Sequence, residues 1–330
     1  MPIDLKTLYK RKTVAVTGAN GYIGSSLVYS LLQIGAKVIR VSRKPLVSIE
    51  GSENFVSDTS LPQCWRYLVQ RSDIIIHLAG NTSIYSANND PVASIKSTLD
   101  PITHLVKAAK DLNKNPRVVF ASSVSIYGIK PKLPVNEKAI IETNNFYDLH
   151  KYFAELQLKV AGKKGILEPI VLRLSNVYGP SKSEVAAPDR GILNKIAQNS
   201  LLGLPISIYG NGKFTRDYIY ISDVIDAFII AGVSNNLSGE CYNIASGKGI
   251  FIRDLFLKIA DKATKFTTNI SEIKYINPPK EIDSSDLRNF YADIKAFKNA
   301  TGWSPNIDLN LGLDKLFQSL LNKSQKKVIC

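Results

Sequence analysis

Along the first 180 residues, short apolar runs alternate with segments whose apolar side chains recur every three to four positions. The runs cover 13–17, 37–41, 54–56, 73–78, 117–121 and 170–174, and the periodic segments cover 23–34, 61–70, 92–112 and 147–161. Unbroken apolar runs are the pattern of strands covered on both faces, and strands alternating with helices build a parallel sheet from βαβ units. Past residue 180 the pattern loosens. Short strands are predicted at 206–209, 218–220, 240–244 and 273–276, and helices at 192–199, 222–233, 252–263 and 311–321. The expectation is an α/β chain, with a doubly wound parallel sheet over 1–180 and a smaller α+β lobe over 181–330. Some strands of the lobe are expected to return to the sheet. Ligands of such sheets sit beyond the carboxyl ends of the strands, so the cleft between sheet and lobe is the expected site.

The junction TGANGYIG, residues 17–24, leaves the first run and opens the first helical segment. Gly18 permits a tight turn, Gly21 lets backbone approach a pyrophosphate with no Cβ in the way, and Gly24 lets the helix pack on the strand. The exposed amides and the positive end of the helix then favour a diphosphate. A plain tight turn has a similar composition, so the motif gains weight only from its surroundings. In a dinucleotide fold an acidic residue often closes the second strand and binds the ribose 2′-hydroxyl. Here that strand ends Val41-Ser42-Arg43-Lys44, with no carboxylate. Arg43 can fork onto a 2′-phosphate, which a carboxylate would repel. NADP(H) is therefore expected, with NAD(H) as the alternative; Pro45 suggests a loop in which Arg43 and Lys44 would simply face water. Asp58, after the third strand, is placed either to accept from an adenine amino group or to cap the turn before the next helix.

Tyr147 and Lys151 are four apart at the start of a helical segment and share one face. The fifth strand ends in Ser122-Ser123. A free tyrosine has a pKa of about 10, and lowering it by three units takes about 4 kcal/mol. One cation about 4 Å away, at an effective dielectric near 20, supplies about that much. Lys151 is expected to do this, Ser123 to hydrogen-bond the reacting oxygen, and Tyr147 to exchange a proton with it. Alone, such a Tyr/Lys pair usually lies on a helix surface; following the glycine turn and the serine strand end, it becomes specific.

Composition narrows the class. The chain of 330 residues is 45% hydrophobic and 21% charged, and carries a net charge of +14. The basic residues are scattered apart from Lys10-Arg11-Lys12, Lys163-Lys164 and residues 323–327, and no nucleic-acid motif accompanies them. They read as solvated surface, so a nucleic-acid role is not expected. No apolar run reaches the roughly 18–20 residues that span a bilayer, and residues 1–12 have no apolar core of a secretory signal. Cys64, Cys241 and Cys330 lack metal-like spacing and read as free thiols in a reducing cytoplasm. His77 is expected in the core, and His104 and His150 on helix surfaces, none with a metal-like partner.

Further stretches carry a resemblance. They are IIIHLAG (74–80), FASSVSIYG (120–128), YDLHK (147–151), LRLSNVYGP (172–180), YGNGKFTRDYIYISDV (209–224) and LRNFYADIKAFKNATGWSP (287–305). With TGANGYIG, the chain resembles the extended short-chain dehydrogenase/reductases, the nucleotide-sugar epimerase/dehydratase/4-ketoreductase group, over nearly its whole length. The resemblance implies a Rossmann-type sheet with a C-terminal substrate lobe. It implies catalytic roles for Ser123, Tyr147 and Lys151, and substrate contacts from Thr82, Ser123, Ser125, Asn176, Arg216 and Arg288, the two arginines gripping a diphosphate. Cofactor contacts are expected from Gly18, Asn20, Gly21, Tyr22, Ile23 and Gly24, from Ser42, Arg43 and Lys44, from Asp58 and Thr59, from Leu78, Ala79 and Gly80, and from Tyr147 and Lys151. It also implies a homodimer formed through the helices at 92–112 and 147–161.

Three departures qualify it. Ser42 replaces the acidic residue closing the second strand. Val124 and Ser125 replace the acidic pair of the 4,6-dehydratases, which argues against that reaction; Val124 is expected to pack. Thr98 stands where an asparagine is usual. The reading that follows is NADPH-dependent reduction of a nucleotide-diphosphate 4-keto-hexose in surface-polysaccharide or deoxysugar synthesis. The alternatives are a 4-epimerase holding NAD tightly and, more distantly, a non-catalytic NADP-sensing protein. The base and the sugar are not legible; the pocket is expected from loops near 82–89, 125–127 and 181–190.

Overall fold

Strands that are apolar on both faces decide the architecture. The computed structural model describes residues 4–182, 191–237 and 239–329. Up to residue 180 it forms, in order, α1 (Leu5–Tyr9), β1 (Thr13–Thr17), α2 (Tyr22–Gln33), β2 (Lys37–Ser42), β3 (Ser52–Val56), α3 (Pro62–Arg71), β4 (Ile74–His77), α4 (Ile84–Asn89), α5 (Pro91–Asp111), β5 (Arg117–Ser123), α6 (Phe146–Lys163), β6 (Glu168–Leu174) and β7 (Asn176–Tyr178). Then follow α7 (Ile192–Leu202), β8 (Ile206–Tyr209), β9 (Thr215–Tyr220), α8 (Ile221–Val233), β10 (Cys241–Ile244), β11 (Gly249–Phe251), α9 (Ile252–Ala263), β12 (Ile273–Ile276), α10 (Lys295–Thr301) and α11 (Leu309–Ile329).

Seven strands make one parallel sheet in the order β10-β6-β5-β4-β1-β2-β3. Successive side chains of a strand point to opposite faces. Val14, Val16, Ile74, Ile76, Val119, Ile170 and Leu172 accordingly pack on one side with α2 and α8. Ala15, Ile75, Val118, Phe120 and Val171 pack on the other with α3, α5 and α6. Each fully buried Val or Ile contributes about 1.5–3 kcal/mol, so the sheet resists register slips. Strand order reverses between β1 and β4, the crevice where such sheets take ligands.

The chain beyond residue 180 is divided between the two regions. α8 covers one face of the sheet and β10 is its edge strand. The lobe holds a three-stranded sheet, β11-β9-β7, and the parallel pair β12-β8. Two buried carboxylates tie it down. Asp217 of β9 accepts from Ser246 N at 2.8 Å, Ser246 Oγ at 2.7 Å, Gly247 N at 3.0 Å and Ala292 N at 3.2 Å. Asp223 of α8 accepts from Asn306 N at 3.0 Å and Ile307 N at 3.2 Å. Both aspartates belong to the stretch 209–224, and both hold backbone rather than face the cleft. No helix among the described residues is long and apolar enough to cross a membrane.

One histidine expectation is corrected. His150 is buried, at 4% exposure, not on a helix surface. α5 and α6 pack side by side, and the His150 ring lies between them, its Nδ1 2.9 Å from Ser94 Oγ. His77 is fully buried in the sheet.

Candidate active site

The glycine turn has the backbone that its residues require. Gly18 sits at φ +67°, a left-handed conformation that glycine adopts at little cost. A Cβ on Gly24 would stand 2.2 Å from Gly18 O. α2 therefore starts hard against the turn, as a helix aimed at a dinucleotide pyrophosphate must. Thr17 Oγ1 accepts from Leu78 N at 3.2 Å and Ala79 N at 3.1 Å, which binds the loop after β4 to the turn. The hydroxyl hydrogen that remains points to His77 Nδ1 at 2.7 Å. The ring proton then lies on Nε2, which is buried without a partner, and burial pushes the imidazole pKa down to about 3. Tyr22 Oη donates to Gly179 O at 2.5 Å, and Ser181 Oγ donates to Tyr22 O at 2.7 Å, so the start of α2 is also tied to the chain leaving β7. Asn20 and Ile23 lie in the same turn.

At the far end of this crevice, Ser42 closes β2 and its hydroxyl donates to Lys44 O. That bond curls the segment and leaves Arg43 and Lys44 exposed beside the strand end. Asp58 Oδ1 accepts from Ser60 N at 2.8 Å, and Thr59 O accepts from Trp65 Nε1 at 2.6 Å. Asp58 thus closes a turn ahead of α3, and the backbone of its own loop sets its position.

Where β5 ends and α6 begins, the remaining groups converge. Asn145 caps α6 by accepting from Asp148 N at 2.9 Å, and this places Tyr147 in the first turn. Ser123 Oγ lies 2.8 Å from Ser125 Oγ and accepts from Ser125 N at 3.1 Å. The Ser123 hydroxyl meets the Tyr147 phenol and draws its pKa down. Burial and the Asp148 carboxyl outweigh this and push the phenol up to about 12. Lys151, one turn on, donates to Ala121 O at 2.9 Å and lies over the Phe120 ring at 4.8 Å. Burial lowers its ammonium to about 8, against the pull of Glu155. The lowering of Tyr147 expected from Lys151 is thus not made in this state; the ammonium is spent on a backbone carbonyl. A Cβ on Gly80 would stand 3.8 Å from Lys151 Nζ and 4.0 Å from Thr98 Oγ1, which sets Gly80, Thr98 and Lys151 around one point. Val124 packs in the core.

The lobe contributes two arginines. Arg216 and Arg288 are each 8% exposed. Arg216 donates to Ser285 O at 2.8 Å, to Thr215 O at 3.1 Å and to Arg288 O. Arg288 donates to Ser125 O at 2.9 Å and Gly128 O at 3.0 Å, and its buried Nε has no partner. Neither forms an ion pair among the described residues. Burial lowers the pKa of both, and the Arg216 charge helps bring Arg288 to about 10. Asp286 acts on both charges and Asp148 and Asp283 act on Arg288, without a direct ion pair among the described residues; desolvated cations held this way are costly, and an anion between them removes part of the cost. Asn176 Nδ2 donates to Asp217 O at 2.9 Å, which fixes the amide beside β9. Thr82 is exposed ahead of α4. Of the pocket segment expected at 181–190, residues 183–190 lie outside the described residues.

Two features escaped sequence reasoning. Asp148 reads in sequence as a first-turn helix carboxylate and is found buried, its Oδ2 accepting from Asn145 Nδ2 at 2.8 Å. Tyr85 of α4 donates to Asp286 Oδ2 at 2.7 Å, spanning sheet domain and lobe; only the fold brings these two together.

Comparison with known proteins agrees with this geometry. The model of the NAD-dependent epimerase/dehydratase family matches residues 14–245. A UDP-glucose 4-epimerase of Mycolicibacterium smegmatis is 28% identical over 94% of this chain and 99% of its own. A dTDP-4-dehydro-6-deoxyglucose reductase of Escherichia coli is 29% identical over 94% of this chain and 98% of its own. The structure of a UDP-N-acetylglucosamine 4-epimerase from Methanobrevibacter ruminantium, in complex with UDP-N-acetylmuramic acid, superimposes with a TM-score of 0.83. It is 26% identical and covers 95% of this chain and 99% of that one. With the glycine turn, the serine–tyrosine–lysine cluster and the family match over most of its length, this chain belongs to the NAD-dependent epimerase/dehydratase family, the extended short-chain dehydrogenase/reductases.

Proposed function

We propose that the protein is an NADPH-dependent reductase of a nucleotide-diphosphate 4-keto-hexose, serving deoxysugar or surface-polysaccharide synthesis in the cytoplasm. The observation that carries the nucleotide-sugar part is the pair of buried guanidinium groups, Arg216 and Arg288, which close no direct ion pair among the described residues. They suit a diphosphate, whose two charges they pair by forked hydrogen bonds. Asn176 lines the same side. The turn at Gly18, Gly21 and Gly24 would hold the cofactor pyrophosphate, with the loop 78–80 along the nicotinamide half and Ser42, Arg43 and Lys44 at the adenosine end. The nicotinamide, when bound, supplies hydride. Ser123 donates a hydrogen bond to the substrate carbonyl, and Tyr147 gives that oxygen its proton. Lys151, one turn on from Tyr147, would stabilise the resulting phenolate and help hold the cofactor.

The preference for NADPH rests on the exposed Arg43 and Lys44 and the missing carboxylate at the end of β2. A second reading, a 4-epimerase with tightly held NAD, is favoured by the names of two of the relatives above. The purified protein separates them. Denaturation followed by mass analysis of released nucleotide, then NADPH and NADH affinities of the emptied protein, should give an empty protein that prefers NADPH. Stoichiometric NAD would establish the epimerase instead. Both readings require Tyr147, so a Tyr147→Phe variant with full turnover sinks both.

A further inference from the structure

β2 carries an arginine on a face that is otherwise packed. Side chains of a strand alternate, so Val38, Arg40 and Ser42 share one face of β2, and Val38 lies in the core with α2 there. Arg40 is 7% exposed, closes no ion pair among the described residues, and leaves its buried Nε without a partner. Arginine is almost never buried without a paired charge, so this one calls for a task. Its Nη1 donates to Val47 O at 2.7 Å, in the loop that follows β2. Asn54 of β3 makes the matching bond, its Nδ2 donating to Leu46 O at 2.8 Å. Arg40 and Asn54 are partners in the register of β2 and β3, and so stand side by side. Two neighbouring side chains therefore hold two consecutive carbonyls of one loop.

The loop 43–50 has little apolar anchoring. Val47 is 77% exposed, and Leu46 and Ile49 are only half-buried. Ser42 Oγ donates to Lys44 O at one end, and Ser52 Oγ donates to Ile49 O at 2.7 Å at the other. Those bonds close local turns, whereas Arg40 and Asn54 reach in from the sheet and hold the middle. An ionised donor makes the stronger of the two bonds.

This loop begins with Arg43 and Lys44, both exposed. We propose that Arg40 and Asn54 are a clamp that fixes the loop and thereby places Arg43 and Lys44 for a 2′-phosphate. Arg40 is then a positioning residue that sets the choice between NADPH and NADH without touching either. The inference rests on the NADPH reading of the adenosine end. Two long cationic side chains on a loose loop would have to be ordered at the moment of binding, and a loop ordered beforehand avoids that cost. Only a cofactor with a 2′-phosphate gains from it, since NADH presents nothing for these cations to pair.

The first test digests full-length, cofactor-free protein briefly with trypsin and follows the cut after Arg43 by the mass of fragment 1–43. Cleavage requires the loop to open, so the wild type should be cut slowly. Arg40→Leu should speed the cut roughly tenfold or more, and Asn54→Leu by a smaller factor, as expected for a charged and a neutral donor. A rate that Arg40→Leu leaves unmoved overturns the clamp; if Arg40→Leu does not fold, Asn54→Leu decides in its place. The second test is the calorimetric affinity of the same proteins for NADPH and for NADH. The wild type should prefer NADPH, and Arg40→Leu should weaken NADPH roughly tenfold while leaving NADH nearly unchanged. Asn54→Leu should shift the ratio in the same direction. Equal losses for the two cofactors overturn the proposal, because a general packing role would weaken both alike. A wild type that binds NADH the more tightly refutes the cofactor reading instead, and the tryptic cut still decides the clamp.

Discussion

Arg288 holds a buried charge that closes no direct ion pair among the described residues. Its guanidinium is shared between Ser125 O and Gly128 O, and its Nε has no partner. A charge-assisted hydrogen bond is worth about 1.5–3 kcal/mol, or roughly ten- to a hundredfold in affinity. Arg288→Ala should therefore raise KM for the nucleotide sugar by roughly that factor with a smaller effect on kcat; unchanged KM would remove Arg288 from the diphosphate site. His77 makes a different demand. Its imidazole is held neutral, with a folded pKa of about 3 against an ordinary 6.5. Below pH 6.5 the unfolded chain takes up a proton that the folded protein refuses, so stability falls as pH drops toward 3. The limiting slope is about 1.4 kcal/mol per pH unit. Comparison of urea midpoints between pH 7 and pH 5 should show a smaller acid loss in His77→Gln than in the wild type. Equal losses would mean that His77 does not titrate on unfolding. The burial of His77 was legible from its apolar strand; the lack of a partner for its Nε2 and the surroundings of Arg288 were not, because residue type says nothing of groups brought from elsewhere in the chain.

At the scale of elements, the start of α2 is the tightest point of the site. Gly24→Ala sets a methyl group against Gly18 O, and either the helix or the turn must move. Overpacking of this kind costs about 1–3 kcal/mol. The variant should lose thermal stability and, because the pyrophosphate amides move with the turn, bind NADPH at least about tenfold more weakly. Wild-type affinity by calorimetry would detach Gly24 from the cofactor site. This junction was readable in advance because it is local: an apolar run, three glycines and an amphipathic segment are contiguous. β7, β11 and α10 were not read, since strands of three residues and a helix of seven are too short to show a period. His150 was misplaced for a related reason. It lies on the face of α6 that α5 covers, and the burial of a helix face depends on a neighbour that local periodicity does not name.

For the whole molecule, α5 and α6 present a continuous apolar surface. Val92 and Ile95 on α5, with Phe146, Phe153, Leu156 and Val160 on α6, remain exposed in the monomer. We expect a second copy of the chain to cover them in a homodimer, as the family resemblance implies. A Phe153→Glu, Val160→Glu double variant should sediment as a monomer where the wild type sediments as a dimer; a monomeric wild type would refute this. The order of apolar and polar positions, with the glycine turn, was enough to foresee the doubly wound sheet and its strand–turn–helix junction, and the Tyr147–Lys151 spacing was enough to nominate a proton-transferring tyrosine. Each of these is encoded within a few residues of chain, where spacing translates directly into geometry. That part of the chain past residue 180 returns to the sheet was expected; that β10 is the strand that does so and α8 the helix that covers a face was decided by the tertiary structure. It alone brought Arg216 against the Arg288 backbone and Arg288 against Ser125 O and Gly128 O. Those contacts join segments tens to more than a hundred residues apart, and their energies come from burial, which exists only once the chain has closed around them.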